Sequence, residues 1–354
     1  MVANLKKIFL CVIILLIFSQ ISAAANKKNA VNVLTWWNYL NYPEVSEVVK
    51  KECGVDLHYD EYFSISEFLR RFNAHKDSYD VIIFSNTIYK LLEDKIKRKD
   101  SDLYKVSDQY DRCVKNHYLS NKYAANVVVF VLSFPGFLWN PKVMDLSKDD
   151  TIFSIFKKAK DNVVVLIDDP VEVWALINQK VNQEVLRNNF PSLKKYSEAV
   201  PLGSLKKLIQ SAVIYVADGY NKLYDKDNFA VAFQWSGEVV YILKKMKKEL
   251  KFILPPTLSY ISSDMLAELN TRPATRCVAK TLASKKVLDI IQEKTYYLSP
   301  YGTYKSVTDP AFRYVYDQLD RNMCKLKWLE SISPDGYKGL VHEWREIQLS
   351  TPVK

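Results

Sequence analysis

The sequence has 354 residues, of which 48% are hydrophobic and 25% are charged, and these ordinary globular values exclude a disordered protein. Only eight glycines are present, so glycine-rich phosphate loops and dinucleotide fingerprints have nowhere to lie. The formal net charge of +10 would favour an anionic partner. Lysine pairs such as Lys157-Lys158 and Lys244-Lys245 instead indicate solvated helix faces.

The N-terminus has the pattern of a cleavable signal peptide, which we predict over residues 1–25. Lys6-Lys7 forms a positive region, Ile8–Phe18 is apolar, and Ser22–Ala25 provides the small residues that cleavage requires. The apolar run is too short for an ordinary membrane-spanning helix. We therefore expect a mature protein in the periplasm, with no nucleic acid as its partner.

The first third of the mature chain predicts alternating strands and helices. Strands are expected at Val31–Thr35, Val55–Tyr59 and Tyr79–Phe84, and helices at Pro43–Lys51, Ile65–Phe72 and Ile88–Lys95. This alternation implies a parallel sheet with helical crossovers. In such sheets the ligand lies beyond the carboxyl ends of the strands. Those ends carry Trp36–Tyr39, Tyr62-Phe63 and Ser85–Thr87.

The rest of the chain predicts a second α/β set. About 330 residues remain after the leader, more than one core usually holds, so two domains are expected. The apolar stretch Val127–Trp139, interrupted by Pro135-Gly136, predicts a strand that leaves one lobe and enters the other. The second sheet is expected to be parallel, with strands at Val163–Ile167, Val231–Gln234 and Phe252–Leu254. Helices are expected from Thr151 and from Leu202, and at Pro170–Lys180 and Gly237–Lys248. A loop then leads to helices at Ala274–Ala283 and Lys285–Lys294, and the last helix is expected at Tyr337–Gln348.

Four cysteines follow the predicted signal peptide: Cys53, Cys113, Cys277 and Cys324. An even number in an oxidising compartment permits one or two disulfides. Their spacings are wide and contain no C-x-x-C, so the sequence leaves the connectivity open.

Signatures of an enzyme are sparse. The four histidines have no metal-ligand spacing, and neither a nucleophile elbow nor a P-loop is present. We therefore expect no catalytic residue, no metal and no cofactor. An exported transferase or hydrolase on a bilobal scaffold is the rival interpretation, and it would need an activated nucleophile beside a base.

The cluster Asp168–Glu172 follows a predicted strand and allows two interpretations. Asp169 suits a helix N-cap, Pro170 the first helical position, and Glu172 the third position of a capping box. The same placement puts carboxylates at the edge of a sheet where its parallel strands end, and there they would bind a cation.

Three more clusters combine aromatic rings, small residues and acids near element ends. They are Gln234–Glu238, Leu254–Pro256 with the following Asp264, and Tyr296–Pro300. Aromatic rings contact methylene groups and cations, and carboxylates pair with ammonium groups. Together with the strand ends, these clusters predict a binding site for an alkylammonium ligand.

Five segments, in order and spacing, resemble the bacterial solute-binding proteins of the spermidine/putrescine-binding type over about Val31–Pro300. They are Thr35–Tyr39, Tyr79–Ser85, Asp168–Glu172, Trp235–Glu238 and Tyr297–Pro300, which are similar to the family's N-W-[ST]-x-Y, Y-D-V-V-x-P-S, D-D-x-x-E, W-[SN]-G-[DS] and Y-P-T-P. The family often has a tryptophan where this chain has Ser262, and sometimes an aromatic residue where it has Thr87.

The resemblance implies a two-lobed α/β fold of the type II periplasmic-binding-protein class, with mainly parallel sheets flanked by helices and joined by crossover strands. One lobe would comprise residues 29–135 and 256–300, and the other residues 136–255 and 301–354. The ligand-binding residues that it implies are Trp36, Tyr39, Ser85, Thr87, Asp169, Glu172, Trp235, Asp264 and Tyr297.

The function implied is capture of a polyamine such as putrescine or spermidine by a monomer, and its delivery to the permease subunits of an ABC importer. A binding protein for another small solute, or a degenerate sensor, is the alternative. An anion is disfavoured because Asp169, Glu172 and Asp264 would repel it.

Overall fold

The computed structural model describes residues 30–96, 100–121, 126–196, 198–209, 213–216, 222–255, 257–319 and 323–350. The predicted signal peptide lies outside these residues. Within the described ranges, no helix combines the length and apolar character needed to cross a membrane.

The strands are β1 (Ala30–Trp36), β2 (Asp56–Tyr62), β3 (Val81–Ser85), β4 (Val127–Ser133), β5 (Gly136–Trp139), β6 (Val163–Leu166), β7 (Val213–Val216), β8 (Phe229–Gln234), β9 (Lys251–Ile253) and β10 (Ser262–Glu268). They form two five-stranded sheets, with the orders β2-β1-β3-β10-β4 and β7-β6-β8-β5-β9. Helices flank both sheets, so the α/β architecture with two sheets is confirmed.

The helices are α1 (Pro43–Cys53), α2 (Ile65–His75), α3 (Tyr89–Ile96), α4 (Arg112–Ser120), α5 (Ile152–Lys158), α6 (Pro170–Ile177), α7 (Lys180–Asn189), α8 (Lys206–Ile209), α9 (Ser236–Lys245), α10 (Pro273–Leu282), α11 (Lys285–Thr295), α12 (Pro310–Tyr316) and α13 (Pro334–Ser350).

Local sequence signals account for several element ends. Pro43 occupies the first turn of α1, and Gly54 ends this helix with a φ of 69°. Ser64 caps α2 by accepting a hydrogen bond from the Glu67 amide. The apolar β3 is buried along its whole length, as its central place between β1 and β10 requires.

Three differences from the sequence expectations concern strands. β10 forms where a loop is predicted, because its first residues are polar serines and its antiparallel neighbours give no β-α-β signal. A helix is predicted from Leu202, but the short helical turns that begin there are followed by strand β7. The second sheet is parallel only at β7-β6-β8, whereas β5 is antiparallel to both β8 and β9.

The chain passes repeatedly between the two sheets. β4 lies in the first sheet and β5 in the second, as the apolar stretch Val127–Trp139 predicts, and the chain returns between β9 and β10. α12 packs against α9 beside the second sheet, and α13 packs against α6. Between α12 and α13, residues 323–332 lie along the first sheet, where Trp328 pairs with Ile261, whereas the sequence predicts that they belong to the second lobe.

Two disulfides join elements that are distant in sequence. Cys53 and Cys277 connect α1 to α10, and Cys113 in α4 is bonded to Cys324. The Cα–Cα distances are 5.7 and 5.1 Å. The sequence permits one or two disulfides, and the structure has two.

Candidate ligand-binding site

Asp264 lies in β10 opposite Ser85, the last residue of β3. Its Oδ1 accepts a hydrogen bond from Trp36 Nε1 at 3.0 Å, and its Oδ2 accepts one from the Tyr39 hydroxyl at 2.5 Å. The structure therefore brings together four of the predicted ligand residues at the ends of β1 and β3. β10 holds the carboxylate beside both strand ends because it inserts between β3 and β4.

Burial controls the ionisation of this group. It raises the pKa of Asp264 to about 7, against the hydrogen bonds from Tyr39 and Trp36, and the negative charge of Glu172 raises it further. Burial, together with Asp264, also raises the pKa of Tyr39 well above its usual value, so the hydroxyl remains a hydrogen-bond donor.

Glu172 is a buried residue in the first turn of α6. Its Oε1 accepts hydrogen bonds from Trp235 Nε1 at 3.2 Å and from Ser262 Oγ at 2.5 Å, and its backbone oxygen accepts one from the Tyr260 hydroxyl at 2.8 Å. Glu172 lies in the helix that follows β6 and Trp235 directly follows β8, both strands of the second sheet, whereas Ser262 begins β10 of the first, so this carboxylate connects the two sheets.

The two carboxylate oxygens of Glu172 differ in their hydrogen bonding. Oε2 is buried and has no hydrogen-bond partner among the described residues. Burial raises the pKa of Glu172, although the hydrogen bonds from Ser262 and Trp235 to its carboxylate oppose this change. A donor from a ligand would satisfy Oε2.

Tyr297 connects the site to Glu238, an acid of the Trp235–Glu238 motif that is not among the predicted ligand residues. The Tyr297 ring meets the Tyr39 ring edge-on at 5.9 Å between centroids. Burial raises the pKa of Glu238 to about 7, against a hydrogen bond with Tyr297. The signal that identifies Glu238 is its place three residues after Trp235, in the first turn of α9, which brings it to the same end of the sheet.

Ser85 and Thr87 are buried and form a hydrogen bond between their hydroxyl groups at 2.9 Å. Ser85 caps the turn after β3 and also accepts from the Thr87 amide at 3.3 Å. Ser85 therefore lies opposite Asp264 at the end of β3, Thr87 lies in the turn that follows, and their hydroxyls are engaged by each other.

Asp169 has the hydrogen bonds of a helix cap. Its Oδ1 accepts from the amides of Val171 at 2.8 Å and Glu172 at 3.1 Å, with Pro170 in the first helical position. Glu172 directs its carboxylate to Trp235 and Ser262 instead of back to the cap. The capping geometry of Asp169 is thus observed, and its contact with a ligand stays a prediction.

The site contains three carboxyl groups whose pKa values are raised. Glu172 is buried, and Asp264 and Glu238 are half-buried. In the part of the chain that the structure describes, no lysine or arginine is among the groups that act on these three carboxyls. Half-buried indole rings at Trp36 and Trp235 stand beside two of them. Such an arrangement is suited to a cation that also presents apolar surface.

This protein is similar to known proteins in structure but not detectably in sequence. The sequence matches no protein-family model and no curated protein. The spermidine/putrescine ABC transporter substrate-binding protein PotD from Streptococcus pneumoniae has a TM-score of 0.68 at 16% identity, over 90% of this chain and 99% of that chain. The TpPotD lipoprotein of Treponema pallidum has a TM-score of 0.69 at 15% identity, again over 90% and 99%.

Proteins with other ligands share this architecture. Iron-bound HitA from Pseudomonas aeruginosa has a TM-score of 0.60 at 10% identity, over 90% of this chain and 99% of that chain. At such identities the likeness is one of fold. The chain therefore has the type II periplasmic-binding-protein fold of the spermidine/putrescine ABC substrate-binding proteins, the family that its strand-end motifs resemble.

Proposed function

We propose that this protein binds a small cationic solute, a linear polyamine such as putrescine or spermidine, between its two sheets and delivers it to an ABC importer. The observation that carries the proposal is the set of three carboxyls, Glu172, Glu238 and Asp264, without a positive partner among the described residues. A buried charge is costly until it is paired. Ammonium groups of the ligand would provide that pairing.

The arrangement of the acids favours an elongated ligand. Glu172 and Asp264 influence each other electrostatically, whereas Glu238 joins the site through Tyr297, which contacts Tyr39. Aromatic rings thus stand between separate carboxyls, and a linear diamine has its methylene chain between separate ammonium groups. Cation–π and apolar contacts with the rings would add to the ion pairs.

Export and partners form part of the same proposal. The predicted signal peptide would place the mature monomer in the periplasm, where it would meet the permease subunits. PotD, an ABC transporter substrate-binding protein with the same fold, supports this role. The principal alternative is another small solute, because HitA carries iron on this fold.

A thermal-shift screen tests the choice of ligand. Putrescine, spermidine and spermine are compared with γ-aminobutyrate, glucose and ferric iron at equal concentrations. A ligand at a hundredfold excess over its Kd stabilises the native state by about 2.7 kcal/mol, so we expect an amine to raise the melting temperature by several degrees. If no amine acts at millimolar concentration and another solute does, the polyamine assignment is wrong.

A further inference from the structure

Residues 323–332, here called the strap, form an additional edge beside the chain that enters β10. The Ile261 amide donates to the Lys327 oxygen at 2.8 Å, and the Leu329 amide donates to the Ile261 oxygen at 2.8 Å. This pairing lies next to Tyr260 and Ser262, both of which donate hydrogen bonds to Glu172. One side of the strap therefore supports the segment that holds the Glu172 carboxylate.

The other side of the strap contacts the turn after β3. Asn86 Nδ2 donates to the Leu329 oxygen at 2.5 Å, and the Ile332 amide donates to the Thr87 oxygen at 3.0 Å. Asn86 Oδ1 also accepts from the Ser263 amide at 3.4 Å, so this side chain joins the strap to β10. Both neighbours of the strap thus carry residues of the proposed ligand site.

The strap is anchored to α4 at two points. Cys324 is bonded to Cys113, and the Trp328 ring stacks on the His117 ring with 3.9 Å between centroids and 6° between planes. Burial lowers the pKa of His117 to about 4, so the stacked imidazole is neutral at pH 7. A covalent bond and an aromatic stack therefore fix the strap to a helix that carries no residue of the proposed ligand site.

We propose that Cys324 and Trp328 are positioning residues that act on the ligand site through the strap. With the strap anchored, the turn after β3 and the start of β10 keep the spacing in which Ser85, Asp264 and Glu172 meet one ligand. Releasing the anchor lets the two segments separate and weakens binding. This inference rests on the proposed function for its ligand.

The second disulfide is a matched control. Cys53–Cys277 closes a sequence separation of 224 residues and Cys113–Cys324 one of 211, so their loss relaxes the unfolded chain by nearly the same amount. Cys53–Cys277 joins α1 to α10, and neither helix carries a residue of the proposed site. A general loss of stability therefore affects both variants, whereas a positioning effect distinguishes them.

The first measurement is the Kd for spermidine of C113A/C324A and of C53A/C277A, at a temperature where both are folded. We expect the first variant to bind at least tenfold more weakly than the second. A ratio below threefold overturns the proposal. Trp328→Leu, which keeps the disulfide and removes the stack, should weaken binding in the same direction, and it replaces the first variant if that variant does not fold.

The second measurement needs no ligand. Amide hydrogen exchange of Ile261 and Ile332 should accelerate at least tenfold in C113A/C324A or Trp328→Leu, and should remain at the wild-type rate in C53A/C277A. Unchanged exchange at both amides overturns the strap as a positioning element. If the wild-type protein binds none of putrescine, spermidine and spermine, the proposed function is wrong, while the exchange rates still decide the role of the anchor.

Discussion

Asp169 and Glu172 stand three residues apart at the start of α6, and their carboxylates have different partners. Asp169 accepts from two backbone amides, which any good cap residue does. Glu172 accepts from side chains of both sheets through Oε1 and keeps Oε2 unpartnered among the described residues. The two acids of one motif therefore differ in how much they depend on their charge.

Replacing each acid with its neutral amide distinguishes helix capping from pairing with a ligand ammonium group. Asp169→Asn keeps the cap acceptor, so we expect a change in unfolding free energy below about 0.5 kcal/mol and a smaller loss of spermidine affinity than in Glu172→Gln. Glu172→Gln removes the charge that would pair with an ammonium group, and calorimetry should show binding weaker by about 2–5 kcal/mol. A large affinity loss in Asp169→Asn alone would reverse this assignment.

The position of the Tyr297 ring requires a glycine at position 237. A Cβ at Gly237, the second residue of α9, would lie 2.8 Å from the Tyr297 ring. The glycine thus permits the ring to contact Tyr39 and to reach Glu238. The sequence motif W-S-G-E contains this glycine, but the close approach that requires it is visible only in the folded chain.

At the scale of the helix, Gly237→Ala should have two opposing effects. Alanine favours a helix by about 1 kcal/mol over glycine, whereas the overlap with Tyr297 costs about 1–3 kcal/mol. We expect a net loss of stability in denaturant unfolding, with weaker spermidine binding.

Gly339→Ala in α13 is the control, because its Cβ would meet no atom within 4 Å. This variant should be stabilised. Equal stabilisation of both variants would show that Tyr297 moves aside without cost.

Elements with strong local signals could be predicted from the sequence. β1, β3 and α1 show apolar runs or proline and glycine at their ends. β10 could not, because its first residues are serines and its antiparallel partners lie at least 129 residues away in sequence in β4 and at least 179 in β3. Asp264 is predicted from the family resemblance, yet its setting in a central strand depends on pairing that no local pattern encodes.

For the whole molecule, the carboxyls between the sheets predict an unusual dependence of stability on pH. An acid with a raised folded pKa holds a proton in the folded state that the unfolded chain has released, from about pH 4 up to the folded value. Stability therefore falls as pH rises through this window, by up to about 1.4 kcal/mol per pH unit for each group. Asp264 and Glu238, each at about 7, act in this direction, and so does Glu172.

His117 acts against them, because its pKa of about 4 makes the folded state lose stability as pH falls below about 6.5. Comparison with Asp264→Asn cancels this contribution, since both proteins contain His117. Denaturant unfolding between pH 5 and 7 should show a steeper fall for the wild type than for the variant. Identical profiles would contradict the raised pKa of Asp264.

Saturating spermidine should remove most of that difference in slope, because an ammonium group lowers the pKa of the carboxyl that it meets. By the same linkage, the affinity of the wild type for spermidine should rise as pH increases from 5 to 7, where the carboxyls ionise. Asp264→Asn should show a weaker rise. An affinity that falls with pH would mean that the preferred ligand is not a cation, whatever its position between the two sheets.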